Sequence, residues 1–411
     1  MLFDIQNNVT YQELHSWASM VQELLTPLSG QRVLVSLPVS SSTFAVYLAA
    51  RDTVCAVTCA PKNIDSITEL MNQWDCVAVL MSSDPGQGAI QILPGVWFWC
   101  PRPLSTVANY ESGIGLLTSG TTGTAKMILI PSQYFEAHFT TGTDQTRPRS
   151  HETTWLGLPL WTSWGLYNAW TVYRAGTACI MKEFRTGRDT LRNALDHCDI
   201  VHYGSALFKL ARVNQRKQGL IYVSGPNLSH EEKMRQADIL GIPVMNQYGS
   251  TEASSISCQT QEDWFRPGAG RPYLPYRVDN EVLWVKRIIN DEWWCMNDLV
   301  RVEDDGQITV LGRANTSRVR TSKGIVDLIA AQNYLCQAGV VNDCEFIIDS
   351  KMEITQVILI HTAPDDVAIK KSLREYNQGV NFVDCWIYDS EIRRNEIGKI
   401  QRQYYIDQIK S

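Results

Sequence analysis

The segment Leu117–Lys126 has the composition of a loop that binds phosphate. It reads LTSGTTGTAK, so hydroxyl side chains and two glycines stand close together and a lysine follows them. Glycines let the backbone turn tightly, and successive backbone N–H groups in such a turn form an anion-binding nest. The hydroxyls add donors, and the lysine adds a positive charge suited to phosphate. The pattern predicts a phosphate-binding loop.

Two common nucleotide-binding patterns are excluded, whereas one simpler alternative stays open. A Walker A loop needs Gly-Lys-Ser/Thr in direct succession, but Gly123 and Lys126 are separated by two residues. The dinucleotide fingerprint G-x-G-x-x-G does not occur in the chain. The alternative is an ordinary polar hairpin loop, because Gly, Ser and Thr are frequent in turns.

The elements around this loop predict an α/β fold. The apolar runs 114–117 and 127–131 are typical of short buried strands on either side of it. Thr10 and Glu13 have the spacing of a capping box at the start of a helix. Upstream of the loop, strand and helix patterns alternate: strand Arg32–Leu37, helix Ser41–Ala50 and strand Cys76–Leu80. Such alternation indicates parallel sheets wound by helical crossovers.

Four motifs, in a fixed order, resemble those of the adenylate-forming superfamily. They are Thr118–Lys126, Tyr248–Glu252, Asp298 followed by Gly312–Arg313, and Asn395–Arg402. This superfamily comprises acyl- and aryl-CoA synthetases, luciferases and the adenylation domains of peptide synthetases. The resemblance runs from about residue 116 to the C-terminus, and the first 110 residues resemble the family only loosely.

The resemblance implies an ATP site. Tyr248 would stack on the adenine, Asp298 would accept hydrogen bonds from the ribose hydroxyls, and Arg313 would reach the ribose or the phosphates. Glu252 would hold Mg²⁺, a cation that prefers oxygen ligands. The implied catalytic residues are Lys399, Glu252 and Thr251. The implied ATP-binding residues are Thr118, Ser119, Gly120, Thr121, Thr122, Gly123, Lys126, Gly225, Tyr248, Gly249, Ser250, Thr251, Asp298 and Arg313.

The resemblance also implies a pocket for a carboxylic acid, lined by Trp161, Thr162, Ser163, Trp164, Gly165 and Gln247. Thr162 stands where CoA synthetases often have His, and Ser163 stands where amino-acid-activating relatives have Asp. No acidic residue occurs from Thr153 to Ala178. Because a buried ammonium group needs a partner, we expect a substrate other than an α-amino acid. Trp161 and Trp164 would flank a flat ring, or alternatively are core residues.

The expected organisation is a large N-terminal region of wound sheets with helices and a small, mobile C-terminal α+β lid. Residues 1–314 would bind ATP and the acid, and residues 315–411 would form the lid that carries Lys399. Asn315 takes the place of the family's hinge residue. The loop at residues 318–324 departs from the family pattern in the region that would face a thiol acceptor.

The resemblance therefore implies an AMP-forming acid–thiol ligase that uses ATP and Mg²⁺. Its partners would be a small carboxylic acid and then either coenzyme A or the phosphopantetheine of an acyl or peptidyl carrier protein. Such activity suits secondary metabolite biosynthesis. The acid, the acceptor and the oligomeric state stay open. The alternative is a degenerate, non-catalytic relative that binds ATP or an acyl adenylate.

Composition limits the class of protein. The chain has 411 residues and a net charge of −6, which argues against nucleic acid as a partner. The first residues lack the basic and apolar blocks of a signal peptide, and no apolar run reaches 18 residues, so we expect no membrane span. Eleven cysteines without a C-x-x-C pair predict reduced thiols in a cytoplasmic protein.

Overall fold

The fold is given by a computed structural model, which describes residues 1–86, 88–104, 109–118, 126–182, 188–204, 219–225, 228, 230–314, 318–321, 324–349, 356–363, 366–377, 381–394 and 400–410. The chain forms two compact units. The first comprises residues 1–275 and 286–294, and the second comprises residues 276–285 and 295–411.

The first unit contains sixteen strands among its described residues. They are β1 (Leu2–Asp4), β2 (Val9–Thr10), β3 (Arg32–Ser36), β4 (Cys55–Cys59), β5 (Cys76–Met81), β6 (Ile90–Leu93), β7 (Val96–Trp99), β8 (Gly113–Thr118), β9 (Lys126–Pro131), β10 (Thr153–Leu156), β11 (Ala178–Met181), β12 (Ile200–Gly204), β13 (Leu220–Ser224), β14 (Val244–Ser250), β15 (Ser254–Cys258) and β16 (Arg271–Pro272).

Helices of the same unit connect these strands. They are α1 (Tyr11–Leu25), α2 (Ser41–Thr53), α3 (Ile64–Gln73), α4 (Ser132–Thr140), α5 (Thr143–Thr146), α6 (Ser163–Ala175), α7 (Arg188–His197) and α8 (His230–Leu240), with a 3₁₀ turn at Thr26–Leu28. Helix α1 begins with the predicted capping box between Thr10 and Glu13.

The strands form two sheets, in the orders β16-β15-β14-β13-β12-β10-β11-β1-β2 and β6-β7-β5-β3-β4-β8-β9. In the first sheet the run from β14 to β1 is parallel, and in the second the run from β5 to β8 is parallel. Every residue of β4 and β5 is buried, as expected of parallel strands covered on both faces. The predicted α/β class with wound parallel sheets is confirmed.

Helices α2, α4 and α6 share one hydrophobic core with both sheets. Phe135 of α4 meets Trp170 of α6 edge to face, with ring centroids 4.9 Å apart, and Phe44 of α2 approaches the same indole at 6.3 Å. Ile114 of one sheet and Leu156 of the other belong to the same buried cluster. The start of α6 and the ends of nearby strands are therefore anchored in a continuous core.

The second unit is a separate α+β assembly. Its strands are β17 (Tyr276–Asp279), β18 (Val282–Lys286), β19 (Trp293–Val302), β20 (Ile308–Arg313), β21 (Arg318–Thr321), β22 (Gly324–Asp327), β23 (Cys344–Asp349), β24 (Gln356–His361) and β25 (Cys385–Tyr388). Strands β17 to β20 form one antiparallel sheet, β21 and β22 a hairpin, and β23 to β25 a small sheet. Its helices are α9 (Leu328–Gln337), α10 (Val367–Tyr376) and α11 (Arg402–Lys410).

A small C-terminal sheet region is thus present, as predicted. The proposed hinge residue Asn315 lies outside the described residues, so the boundary between residues 314 and 315 stays a prediction. Within the described ranges, no helix combines the length and apolar character needed to cross a bilayer.

Candidate active site

The carboxyl ends of four neighbouring parallel strands create the edge where a ligand site is expected in an open α/β sheet. Strands β10, β12, β13 and β14 are consecutive in that sheet. Gly225 follows β13 directly, is exposed and has φ of +111°, a value that favours glycine. The turn after β14 carries the predicted residues Thr251 and Glu252. The topology therefore brings these motif residues to one edge.

The turn between β14 and β15 holds Thr251 and Glu252 in a tightly defined loop. Ser250 pairs with Ser254 across the two antiparallel strands, and Ala253 N donates to Ser250 Oγ at 3.2 Å. Ser254 has φ of +65°, which is unusual for a residue other than glycine, asparagine or aspartate. The turn is a strained feature, and such features often belong to functional sites.

Gly249 and Ser254 explain why this turn needs its particular residues. A Cβ on Gly249 would lie 2.3 Å from Ser254 O, so only glycine fits beside that carbonyl. The Ser254 hydroxyl donates to the backbone carbonyl of His138 in α4. Thr251 and Glu252 are half-buried, and no other described residue forms a hydrogen bond or ion pair with the Glu252 carboxylate. This carboxylate is available to bind a cation.

His138 is a buried histidine that sequence reasoning missed. Its ring is fully buried beside the backbone of Thr251, and burial lowers its pKa to about 3. The imidazole is therefore neutral near pH 7, and the backbone carbonyl of the same residue accepts the hydrogen bond from Ser254 in the turn. No local signal in the sequence distinguishes it from any other helical residue.

The predicted phosphate loop connects two paired strands. Thr118 of β8 lies opposite Lys126 of β9, and Thr118 Oγ1 lies 3.3 Å from Lys126 O. Lys126 is exposed. The flanking strands are confirmed, whereas Ser119–Ala125, which include the predicted residues Ser119, Gly120, Thr121, Thr122 and Gly123, lie outside the described residues.

Thr162 and Gly165 fix the start of α6, where the acid pocket is predicted. Thr162 is the N-cap, because its Oγ1 accepts from Gly165 N at 3.1 Å and donates to Pro159 O at 2.7 Å. A Cβ on Gly165 would lie 2.1 Å from Pro159 O. Trp161 is buried, and Ser163 is half-buried. The sequence around residues 159–165 thus sets the position of Trp164.

Trp164 belongs to an aromatic cluster that comprises Trp164, Tyr167, His202 and Tyr222. Its indole stacks on Tyr167 with centroids 5.5 Å apart and an interplanar angle of 5°, and it meets His202 edge to face at 6.1 Å. His202 in turn stacks on Tyr222 at 5.0 Å. Only Trp164 was predicted. Tyr167 follows it on the same helix, whereas His202 and Tyr222 come from β12 and β13 and share no sequence pattern with it.

Gln247 lies on β14, next to Tyr248, after which the strand register shifts ahead of the Thr251–Glu252 turn. The side chain is buried, and its Nε2 lies 3.0 Å from Ser255 Oγ. The Tyr167 hydroxyl donates to Thr141 O at 3.0 Å. Gln247, Ser255 and Thr146 surround that hydroxyl closely enough to affect the pKa of Tyr167. Gln247 therefore lies next to the aromatic cluster.

In the second unit, Asp298 and Arg313 form a cross-strand ion pair between β19 and β20. The predicted catalytic Lys399 lies outside the described residues. None of the described residues forms a group of three or more His, Cys, Asp or Glu side chains that could hold a metal ion.

Sequence and fold comparisons agree with this arrangement. Residues 114–282 match the sequence family described as AMP-binding enzyme. They include the strands β8 and β9 and the complete turn after β14. No curated protein sequence matches the chain significantly. The matched region carries the motifs at residues 118–126 and 248–252, so this part of the chain is similar to AMP-binding enzymes.

Several solved structures share this fold over nearly the whole chain. ATP-bound MatB from Rhodopseudomonas palustris has a TM-score of 0.77 at 16% identity, covering 98% of this chain and 94% of that one. O-succinylbenzoate coenzyme A synthetase (MenE) from Bacillus subtilis, in complex with AMP, has a TM-score of 0.76 at 16% identity, with coverages of 98% and 94%. A benzoate CoA ligase from Burkholderia xenovorans LB400 has a TM-score of 0.75 at 14% identity, covering 98% of this chain and 96% of that one.

One further buried residue supports the motif strand. Lys233 of α8 is fully buried, and its Nζ donates to Gln259 Oε1 at 2.7 Å, Trp264 O at 2.6 Å and Arg266 O at 2.8 Å. Gln259 Oε1 also accepts from the backbone N–H of Asn246, which immediately precedes Gln247. Lys233 therefore stabilises the strand that leads into the turn with Thr251 and Glu252.

Proposed function

We propose that this protein is an AMP-forming acid–thiol ligase. It would activate an aromatic or another non-α-amino carboxylic acid as an acyl adenylate, release pyrophosphate, and transfer the acyl group to a thiol. The observation that carries the proposal is the strained turn after β14, which presents Thr251 and Glu252 at the ligand edge of a sheet within the AMP-binding family match. The retained Asp298–Arg313 pair supports it.

The first half-reaction is the attack of a carboxylate oxygen on the α-phosphorus of ATP. The carboxylate is already ionised near pH 7, so the reaction needs no general base. The main obstacle is bringing one anion to another, and positioning together with charge neutralisation lowers it. Thr118, Lys126 and the loop between them would bind the phosphates, and Lys399 would pair with the carboxylate and the α-phosphate.

Glu252 suits a magnesium ion bound together with the nucleotide. Mg²⁺ commonly uses one or two carboxylates, substrate phosphates and water. A single half-buried carboxylate without a described protein partner fits that ligand set. When bound, the ion supplies positive charge next to the phosphates.

The surroundings of Trp164 support an aromatic acid. The nearby imidazole of His202 is neutral near pH 7, because burial lowers its pKa to about 3. The segment from Thr153 to Ala178 has no carboxylate to pair with a substrate ammonium group. The same features disfavour an α-amino acid, because the ammonium group would lose its hydration without gaining a partner.

ATP–pyrophosphate exchange with Mg²⁺ tests the first half-reaction. We expect exchange with one or more aryl acids and weaker or no exchange with α-amino acids. Adding coenzyme A, or a phosphopantetheinylated carrier protein, to the preloaded enzyme then distinguishes the two acceptors. Absence of exchange with every acid in a panel of aryl, fatty and amino acids, from protein that still binds ATP, would overturn the proposal in favour of a non-catalytic binding protein.

A further inference from the structure

Several buried polar atoms around the aromatic cluster have no hydrogen-bond partner among the residues that the structure describes. They include Gln247 Oε1, His202 Nδ1 and Trp164 Nε1. Most buried polar groups in folded proteins are hydrogen-bonded, and leaving one unsatisfied destabilises the fold. Three such atoms in one neighbourhood indicate a place where a polar ligand group completes the network.

The hydrogen bonds that the structure gives for Gln247 and for the neighbouring Tyr167 are made within the protein. Its Nε2 is paired with Ser255 Oγ at 3.0 Å, and the proton of Tyr167 goes to Thr141 O at 3.0 Å. Exchanging the two amide atoms of Gln247 would leave the nitrogen unpaired in place of the oxygen. In either orientation, one polar atom of this amide has no partner among the described residues, although only 4% of the residue is exposed. A ligand group can therefore pair with it.

The group that pairs with this amide must be uncharged. His202 is neutral near pH 7, since burial lowers its pKa to about 3. Gln247 and Trp164 carry no charge. A charged ligand group beside them would lose its hydration without an opposite charge to pair with, which is costly.

We propose that the activated acid is an aromatic carboxylic acid whose ring carries an uncharged hydroxyl or amino substituent, and that the Gln247 amide binds this substituent. This inference rests on the proposed adenylation activity and narrows its substrate class. The stacked rings of Trp164 and Tyr167 supply the apolar surroundings for the ring, and the amide supplies the selective contact. Gln247 is thus a specificity-determining residue.

The test compares ATP–pyrophosphate exchange for benzoate with that for the three hydroxybenzoates and the three aminobenzoates. For the wild-type protein we expect kcat/KM for the best substituted acid to exceed that for benzoate about tenfold or more, the effect of one hydrogen bond to a buried group. Methionine has a volume similar to that of glutamine but no polar amide. In Gln247→Met, kcat/KM for the best substituted acid and kcat/KM for benzoate should therefore differ by no more than about twofold. Gln133→Met, at an exposed glutamine of α4, is the matched control and should keep the wild-type preference.

Three outcomes overturn the inference in distinguishable ways. If benzoate or a fatty acid is the best wild-type substrate, the inference is wrong while the proposed adenylation stands. If the preference persists unchanged in folded Gln247→Met, another residue binds the substituent. If no acid supports exchange, the proposed function fails and this inference with it. The wild-type comparison alone decides the first case, even if Gln247→Met does not fold.

Discussion

Asp298 and Arg313 lie directly opposite each other on the antiparallel strands β19 and β20, with Arg313 Nε 3.1 Å from Asp298 Oδ1. Arg313 Nη1 also donates to Met296 O at 2.9 Å. The Asp298 side chain is only 7% exposed, whereas that of Arg313 is 59% exposed. The strand register therefore fixes the carboxylate and the guanidinium side by side, with the guanidinium still open to solvent.

Replacement of Arg313 by alanine should impair ATP use far more than folding. An ion pair with one exposed partner contributes about 1 kcal/mol or less to stability. If Arg313 contacts the nucleotide, we expect the KM for ATP in pyrophosphate exchange to rise about tenfold or more in Arg313→Ala. Arg313→Lys should have an intermediate effect, because lysine keeps the charge but lacks the planar guanidinium group. The matched control is Arg301→Ala, because Arg301 is an equally exposed arginine on β19 that pairs with Glu303. An equal change in both alanine variants would contradict a nucleotide role.

Replacement of Glu252 by glutamine tests its assignment to magnesium. Glutamine keeps the size but removes the charge, so the Mg²⁺ concentration for half-maximal exchange should rise about tenfold or more. Glu262→Gln, in the exposed segment after β15, serves as the control and should leave the Mg²⁺ dependence unchanged. An unaltered Mg²⁺ dependence in Glu252→Gln, with exchange still active, would show that this carboxylate does not hold the ion.

Local patterns in the sequence predicted the elements well. The capping box of Thr10 and Glu13, the strands on either side of the phosphate loop, and the alternation of strands and helices are encoded by neighbouring residues. The motif turn at Thr251 and Glu252 was also predictable, because its residues are contiguous. Such features depend on backbone chemistry that acts over a few residues.

The supporting contacts were not predictable from one sequence, because their partners are distant along the chain. His138 and Ser254 are 116 residues apart, and Lys233 and Gln259 are 26 apart. Tertiary packing alone brings them together, and a buried histidine or lysine has no local signature. The requirement for glycine at position 165 likewise depends on how closely α6 approaches Pro159 O.

Replacement of Lys399 by alanine should lower adenylation about 100-fold or more, by analogy with the loss of one group that stabilises transition-state charge. The expected loss is in kcat for exchange, because the lysine would neutralise charge between the carboxylate and the α-phosphate. Lys371→Ala, at an exposed lysine of α10, is the matched control and should retain exchange. Unchanged exchange in Lys399→Ala would remove this lysine from the mechanism.

Lys233 should make the stability of the protein depend on pH in the alkaline range. Burial lowers its pKa to about 7 from 10.5, and the Asp263 carboxylate opposes this shift. Between these two values the unfolded chain holds a proton that the folded protein has released, so this group makes the free energy of unfolding rise with pH, by at most about 1.4 kcal/mol per pH unit. Below pH 7 both states are protonated, and the contribution no longer varies.

Urea unfolding of the wild type and Lys233→Met at pH 7, 8 and 9 measures this contribution, because titrations common to both proteins cancel in the difference. We expect the wild-type free energy of unfolding to increase relative to that of the variant as the pH rises. A constant difference would mean that the three oxygen acceptors around Nζ keep the ammonium charged, so that its folded pKa stays close to 10.5. In that case Lys233 would still stabilise the loop at residues 259–266, but it would not titrate between pH 7 and 9.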